Sequence, residues 1–105
     1  MRITEENIFK ELDKGRYLEV LKSDLVDKVK DRHGWTPLHL LARCGVKEIL
    51  NHPSVNKVKD NFGYTPLHDL AHWNYLTKED LRKKYPWYNK KITNIYKAID
   101  RSIEK

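Results

Sequence analysis

The sequence predicts an all-α fold, a solenoid of stacked helix-turn-helix pairs closed by a terminal amphipathic helix. Three observations predict it. First, Asp31-Arg32-His33-Gly34-Trp35-Thr36-Pro37-Leu38-His39 recurs as Asp60-Asn61-Phe62-Gly63-Tyr64-Thr65-Pro66-Leu67-His68, an offset of 29 residues. Residues 16–44 and 45–73 agree at 14 of 29 positions, so one unit is duplicated in tandem. Second, each copy opens with helix-start chemistry. Thr36 and Thr65 can cap backbone N–H groups that have no helical partner, and Pro37 and Pro66 follow where a missing N–H costs nothing. Third, Ile92, Ile95, Tyr96, Ile99 and Ile103 fall at i, i+3, i+4, i+7 and i+11, which puts them on one helix face.

The elements follow in order. Thr4 is expected to cap a helix running through Lys14, with Ile8, Phe9 and Leu12 on one face and Gly15 after its end. Tyr17 to Leu21 is its partner helix. Phe9 and Leu12 are in phase with Leu38 and Leu41, and again with Leu67 and Leu70. This unit lacks Thr-Pro-Leu-His, as an end repeat with a polar outer face can. In the next unit Gly34 supplies a tight turn, Gly45 closes the first helix in a left-handed conformation, and Val46 to Leu50 starts the second helix. Pro53 prevents its extension. In the third unit Thr77 caps Lys78 to Lys84, Asp80 sits at the capping-box position, and Pro86 stops the run. Asn89 to about Glu104 is the terminal helix. The expected division is one domain, with a degenerate helix pair at 4–29, repeats at 30–58 and 59–86, and a capping helix at 88–105.

Gly-x-Thr-Pro-Leu-His at 34–39 and 63–68, each followed by x-Leu-Ala (Leu41-Ala42 and Leu70-Ala71), resembles the ankyrin repeat. The resemblance implies an ankyrin-type solenoid with connecting turns or β-hairpin-like loops. Ankyrin repeats usually run about 33 residues. The spacing here is shorter by four, so the second helix is expected to be clipped by about a turn. The resemblance also implies that residues around the turn glycine and the solvent-facing end of the first helix line a concave binding surface. In one repeat these are Lys30, Arg32, His33, Trp35 and Arg43. In the next they are Lys59, Asn61, Phe62, Tyr64, His72 and Trp73, where Asn74 in place of glycine is expected to alter the local path. The set holds four aromatic rings where the two copies differ, and Trp, Tyr and Arg are over-represented at binding hot spots.

Composition narrows the function classes. The one cysteine, Cys44, excludes an internal disulfide and a Cys-rich zinc module. It is read as a small helix-end residue. No Gly-rich phosphate loop, nucleophile elbow or paired zinc motif occurs, so no enzyme and no cofactor is expected. His68 and His72 have metal-ligand spacing, but His68 belongs to the repeated Thr-Pro-Leu-His and His39 matches it with Arg43 four residues on. Both are therefore read as structural, with no metal. The first twelve residues carry five charges, so neither a secretory signal nor a membrane span is expected, and a cytoplasmic location is.

The net charge is +6, and residues 78–105 carry +5 of it, nine Lys/Arg against four Asp/Glu. The leading expectation is a protein-binding adaptor, inhibitor or regulator, with the aromatic rings as anchors and Lys30, Arg32, Arg43 and Lys59 steering an acidic partner surface. The alternative is nucleic-acid binding through Arg82, Lys83, Lys84, Lys90, Lys91, Lys97 and Arg101. Lysine outnumbers arginine 15 to 6, which disfavours bidentate phosphate or base reading. The terminal helix is expected to cap the stack, with homodimerisation through the same face as its other use.

Overall fold

The computed structural model describes residues 3–88 and 95–103. Regular structure there is entirely helical, and no strand occurs among the described residues. Helix α1 spans Ile8–Asp13 and α2 spans Tyr17–Leu21. Thr4 acts one turn before α1. Its backbone N–H donates to Asn7 Oδ1 at 2.7 Å, and Asn7 N–H donates back to Thr4 Oγ1 at 3.3 Å. The helix therefore starts at Ile8, after a turn, and ends at Asp13 with Lys14 as its cap.

Helix α3, Pro37–Arg43, and helix α4, Pro66–His72, begin at the two Thr-Pro pairs. The cap is built with histidine. His39 Nδ1 accepts the Thr36 backbone N–H at 3.2 Å and lies 2.9 Å from Thr36 Oγ1. His68 repeats this with Thr65 at 2.9 and 3.0 Å. Because Nδ1 accepts, Nε2 carries the ring proton and donates. His39 Nε2 reaches the Tyr64 carbonyl oxygen at 2.8 Å, which ties one repeat to the next.

After α3 the chain turns at Gly45, φ +80°, and enters a five-residue 3-10 helix, Lys47–Asn51. This is the clipped second helix, shorter and more tightly wound than an α-helix. Ile49 still reaches the core. After α4, Asn74 adopts φ +61° and takes the conformation that Gly45 has in the preceding unit. Asparagine tolerates the left-handed region, so the turn itself is kept, but the path beyond it differs: the next helix starts four residues after Asn74 against two after Gly45. Helix α5, Lys78–Lys84, starts at Thr77, whose Oγ1 accepts the Asp80 N–H at 3.1 Å while Asp80 Oδ2 accepts the Thr77 N–H at 3.0 Å.

Helix α6, Ile95–Ile103, lies against α4. The part of the terminal helix expected over 89–94, including Ile92, lies outside the described residues. Ile99 is fully buried, and Ile95 and Ile103 pack at the edge of the core. Tyr96 departs from expectation. It stands exposed at the groove side of α6 rather than in the apolar face.

One apolar seam runs the length of the stack, through Ile8, Leu12, Val20, Leu38, Leu41, Ile49, Leu67, Leu70, Leu81 and Ile99. Each fully buried aliphatic side chain contributes about 1.5–3 kcal/mol. The molecule is elongated, measuring 45 × 24 × 21 Å. Among the described residues no helix is long and apolar enough to cross a membrane.

Candidate binding groove

Each turn is organised by an aspartate. Asp31 Oδ1 accepts the N–H groups of His33 and Trp35 at 2.9 and 3.0 Å. Asp60 Oδ1 accepts those of Phe62 and Tyr64, both at 2.9 Å. The backbone closes behind them, Asp31 N–H to the Trp35 carbonyl at 3.0 Å and Asp60 N–H to the Tyr64 carbonyl at 2.9 Å. Gly34 and Gly63 take φ +79° and +84° inside these turns. The turns then lock together. Trp35 Nε1–H donates to Asp60 Oδ2 at 3.1 Å, and Lys30 Nζ donates to the Lys59 carbonyl at 3.3 Å.

A cavity of about 290 Å³ opens between the turns and helices α3, α4 and α6. Trp35, Phe62, Tyr64 and Tyr96 supply its rings. Phe62 is 75% exposed, Tyr64 50% and Trp73 51%, the last standing just outside the cavity. Arg43 sits over the Trp35 ring, its guanidinium carbon 3.7 Å from the centroid. Arg43 Nε is 3.8 Å from Asp69 Oδ1, beyond hydrogen-bond range. Asp69 is buried, and burial pushes its carboxyl up to about 6 despite the nearby Arg43 charge. His68 and His39 shift the other way, downward, because burial disfavours the imidazolium.

The last helix completes the wall by standing in for a further repeat. His39 Nε2 has the Tyr64 carbonyl of the next turn; the equivalent His68 Nε2 has Asp100 Oδ1 of α6 at 2.8 Å. Tyr96 stacks on His68 with centroids 5.5 Å apart and planes at 15°, and its hydroxyl is 3.5 Å from His72 Nδ1.

Of the residues expected on the concave surface, Trp35, Arg43, Phe62, Tyr64 and His72 meet around the cavity. Lys30, Arg32, His33, Lys59 and Asn61 are exposed at the turn tips around it. Asp60, His68, Asp69 and Tyr96 complete the lining and were not anticipated. Asp69 had a signal, since it replaces Leu40 of the first copy while its helix neighbours Leu70 and Ala71 are unchanged.

The basic residues of the alternative site are more scattered. Arg82 and Lys83 on α5 and Lys97 and Arg101 on α6 are exposed. Lys84 is half-buried and donates to the Leu50 carbonyl at 3.5 Å. Lys90 and Lys91 lie outside the described residues. Cys44 caps the C-terminus of α3 and is exposed.

The ankyrin repeat family model matches residues 33–60. No curated protein and no solved structure matches the chain. An ankyrin repeat is a non-catalytic module that binds other proteins, and stacked repeats present a concave surface to do so. The matched span, an ankyrin repeat, runs from within the first Asp-organised turn through α3 to the aspartate of the second, and the second turn then repeats the same construction.

Proposed function

We propose that this protein acts as an adaptor, inhibitor or regulator by holding a partner protein in the aromatic groove between its two turns. The observation that carries this is the exposure of Phe62 and Tyr64 beside half-buried Trp35 around one cavity. Large rings left in solvent on neighbouring repeats cost solubility and are retained where a partner covers them. The rings are held by turns locked to each other, so little ordering entropy is lost on binding. Around the groove, Lys30, Arg32 and Lys59 extend into solvent and favour an acidic partner surface.

The test is affinity capture from nuclease-treated lysate with wild type and a Phe62→Ala, Tyr64→Ala double variant. The expected outcome is a protein enriched by wild type and lost with the double variant. Both side chains are exposed, so stability should change by no more than about 0.5 kcal/mol per site. Capture that survives the double variant removes the groove as the site. Capture that disappears with nuclease moves the reading to the basic side chains of α5 and α6.

A further inference from the structure

The groove is built of opposite charge to its surroundings. The chain carries +6, and Lys30, Arg32 and Lys59 stand at the turn tips. The cavity itself is lined by Asp60 and Asp69 against one guanidinium, Arg43, which leaves one negative charge with the histidines neutral. The two carboxylates differ in how they are satisfied. Asp60 accepts two backbone N–H groups on Oδ1 and the Trp35 indole N–H on Oδ2. Asp69 is 7% exposed, and its Oδ2 accepts no hydrogen bond from any described residue. A buried carboxylate oxygen without a donor costs free energy unless something fills the place.

Arg43 does not fill it. The guanidinium is drawn onto Trp35, and its Nε stays 3.8 Å from the other oxygen of Asp69. His68 does not fill it either, since it spends both ring nitrogens on Thr65 and Asp100. The missing partner is a donor, preferably charged, entering beside the Tyr64 and Tyr96 rings, whose centroids lie 6.4 Å apart with planes tilted by 43°. A guanidinium meets all three conditions. It donates in a planar fork, stacks on rings, and is desolvated more cheaply than an ammonium.

We propose that the groove receives an arginine side chain of the bound partner, with Asp69 as its acceptor and Tyr64 and Tyr96 as its walls. The proposal deepens the reading of this face as the protein-binding surface and rests on it. The partner segment then carries one arginine for the floor among acidic residues for the tips.

The test uses capped tripeptides Ala-X-Ala with X as arginine, citrulline, leucine or glutamate, titrated into isotopically labelled protein. The Trp35 indole N–H, bonded to Asp60 at the edge of the cavity, is the reporter. Saturable movement is expected with arginine at millimolar concentration, and citrulline, neutral and of the same shape, should bind about tenfold more weakly. Asp69→Asn should bring the two within about twofold. Equal response to citrulline, preference for leucine or glutamate, an Asp69→Asn protein that keeps its arginine preference, or no saturable movement at all overturns the proposal. Those outcomes leave the protein-binding reading intact if Phe62→Ala, Tyr64→Ala still abolishes partner capture. Conversely, arginine-selective binding with capture unaffected by that double variant removes the groove as the site of capture and leaves an arginine pocket.

Discussion

At the scale of single residues, the molecule places its titratable groups in opposition. His39 and His68 are held neutral by burial, with pKa values below the ordinary 6.5. The unfolded chain takes up their protons first, so they favour folding above 6.5, and that stability is lost as pH falls through their lowered folded values. Protonation would also require Nδ1 to surrender the Thr36 or Thr65 N–H it accepts. Asp69 has the reverse sign. Its folded pKa of about 6 lies above the ordinary 3.8, so its ionisation opposes folding at neutral pH and is relieved as pH falls from 6 towards 3.8. Asp69→Asn should therefore raise stability at pH 7 by roughly 1–3 kcal/mol, and the gain should vanish below about pH 4. Urea melts of both proteins across that range check it. A variant that is less stable at pH 7 would show that the Arg43 charge outweighs the desolvation of Asp69. A residue kept at a cost to stability is what a binding site requires, and this links the residue to the function proposed for it.

At the scale of elements, the two turns look alike in sequence and differ in surroundings. Gly34 and Gly63 share a left-handed conformation, which costs another residue roughly 1–2 kcal/mol. A Cβ on Gly34 would also meet the Asn61 side chain and, at 2.9 Å, the Asn61 backbone nitrogen, whereas one on Gly63 would meet nothing within 4 Å. Gly34→Ala should thus destabilise by at least about 1 kcal/mol more than Gly63→Ala, the excess being overpacking at the junction between repeats. Equal losses in denaturation would mean that the turns do not abut as described. The same contrast explains what was legible in the sequence. Helix starts were, because Thr36-Pro37, Thr65-Pro66 and Thr77 with Asp80 write their caps in adjacent residues. The bounds of α5 are those expected, Lys78–Lys84. The five groove residues anticipated at 35, 43, 62, 64 and 72 were legible only through the repeat phase and the family resemblance. Tyr96 and Asp100 were not, because their roles depend on where α6 lands, 32 residues along the chain from His68 in the case of Asp100. Helical spacing put Tyr96 with the isoleucines, and spacing alone cannot tell the core side of a helix from the groove beside it.

At the scale of the whole molecule, charge is layered: a basic exterior, basic turn tips and an acidic groove floor. In the proposed binding these layers act on different steps. Exposed lysines at the turn tips are hydrated and flexible, so they contribute to long-range attraction more than to the final contact. The groove rings lose their water on contact and Asp69 lies beneath them, so in that binding they set how long the complex lasts. Lys30 and Lys59 are exposed, and their one mutual contact is a 3.3 Å bond from Lys30 Nζ to the Lys59 carbonyl. Lys30→Glu, Lys59→Glu changes the net charge by four; it removes the Lys30 bond between the turns and keeps the Trp35–Asp60 bond and every side chain lining the groove. Against the captured partner it should slow association roughly tenfold at low salt. Dissociation should stay within about twofold, and the difference in association should shrink as ionic strength approaches 0.5 M, where screening reduces such fields to a few ångströms. Stopped-flow mixing at several salt concentrations separates the two rates. Faster association would mean that the partner presents a basic surface to the tips. A change confined to dissociation would place Lys30 and Lys59 inside the contact, alongside Phe62 and Tyr64.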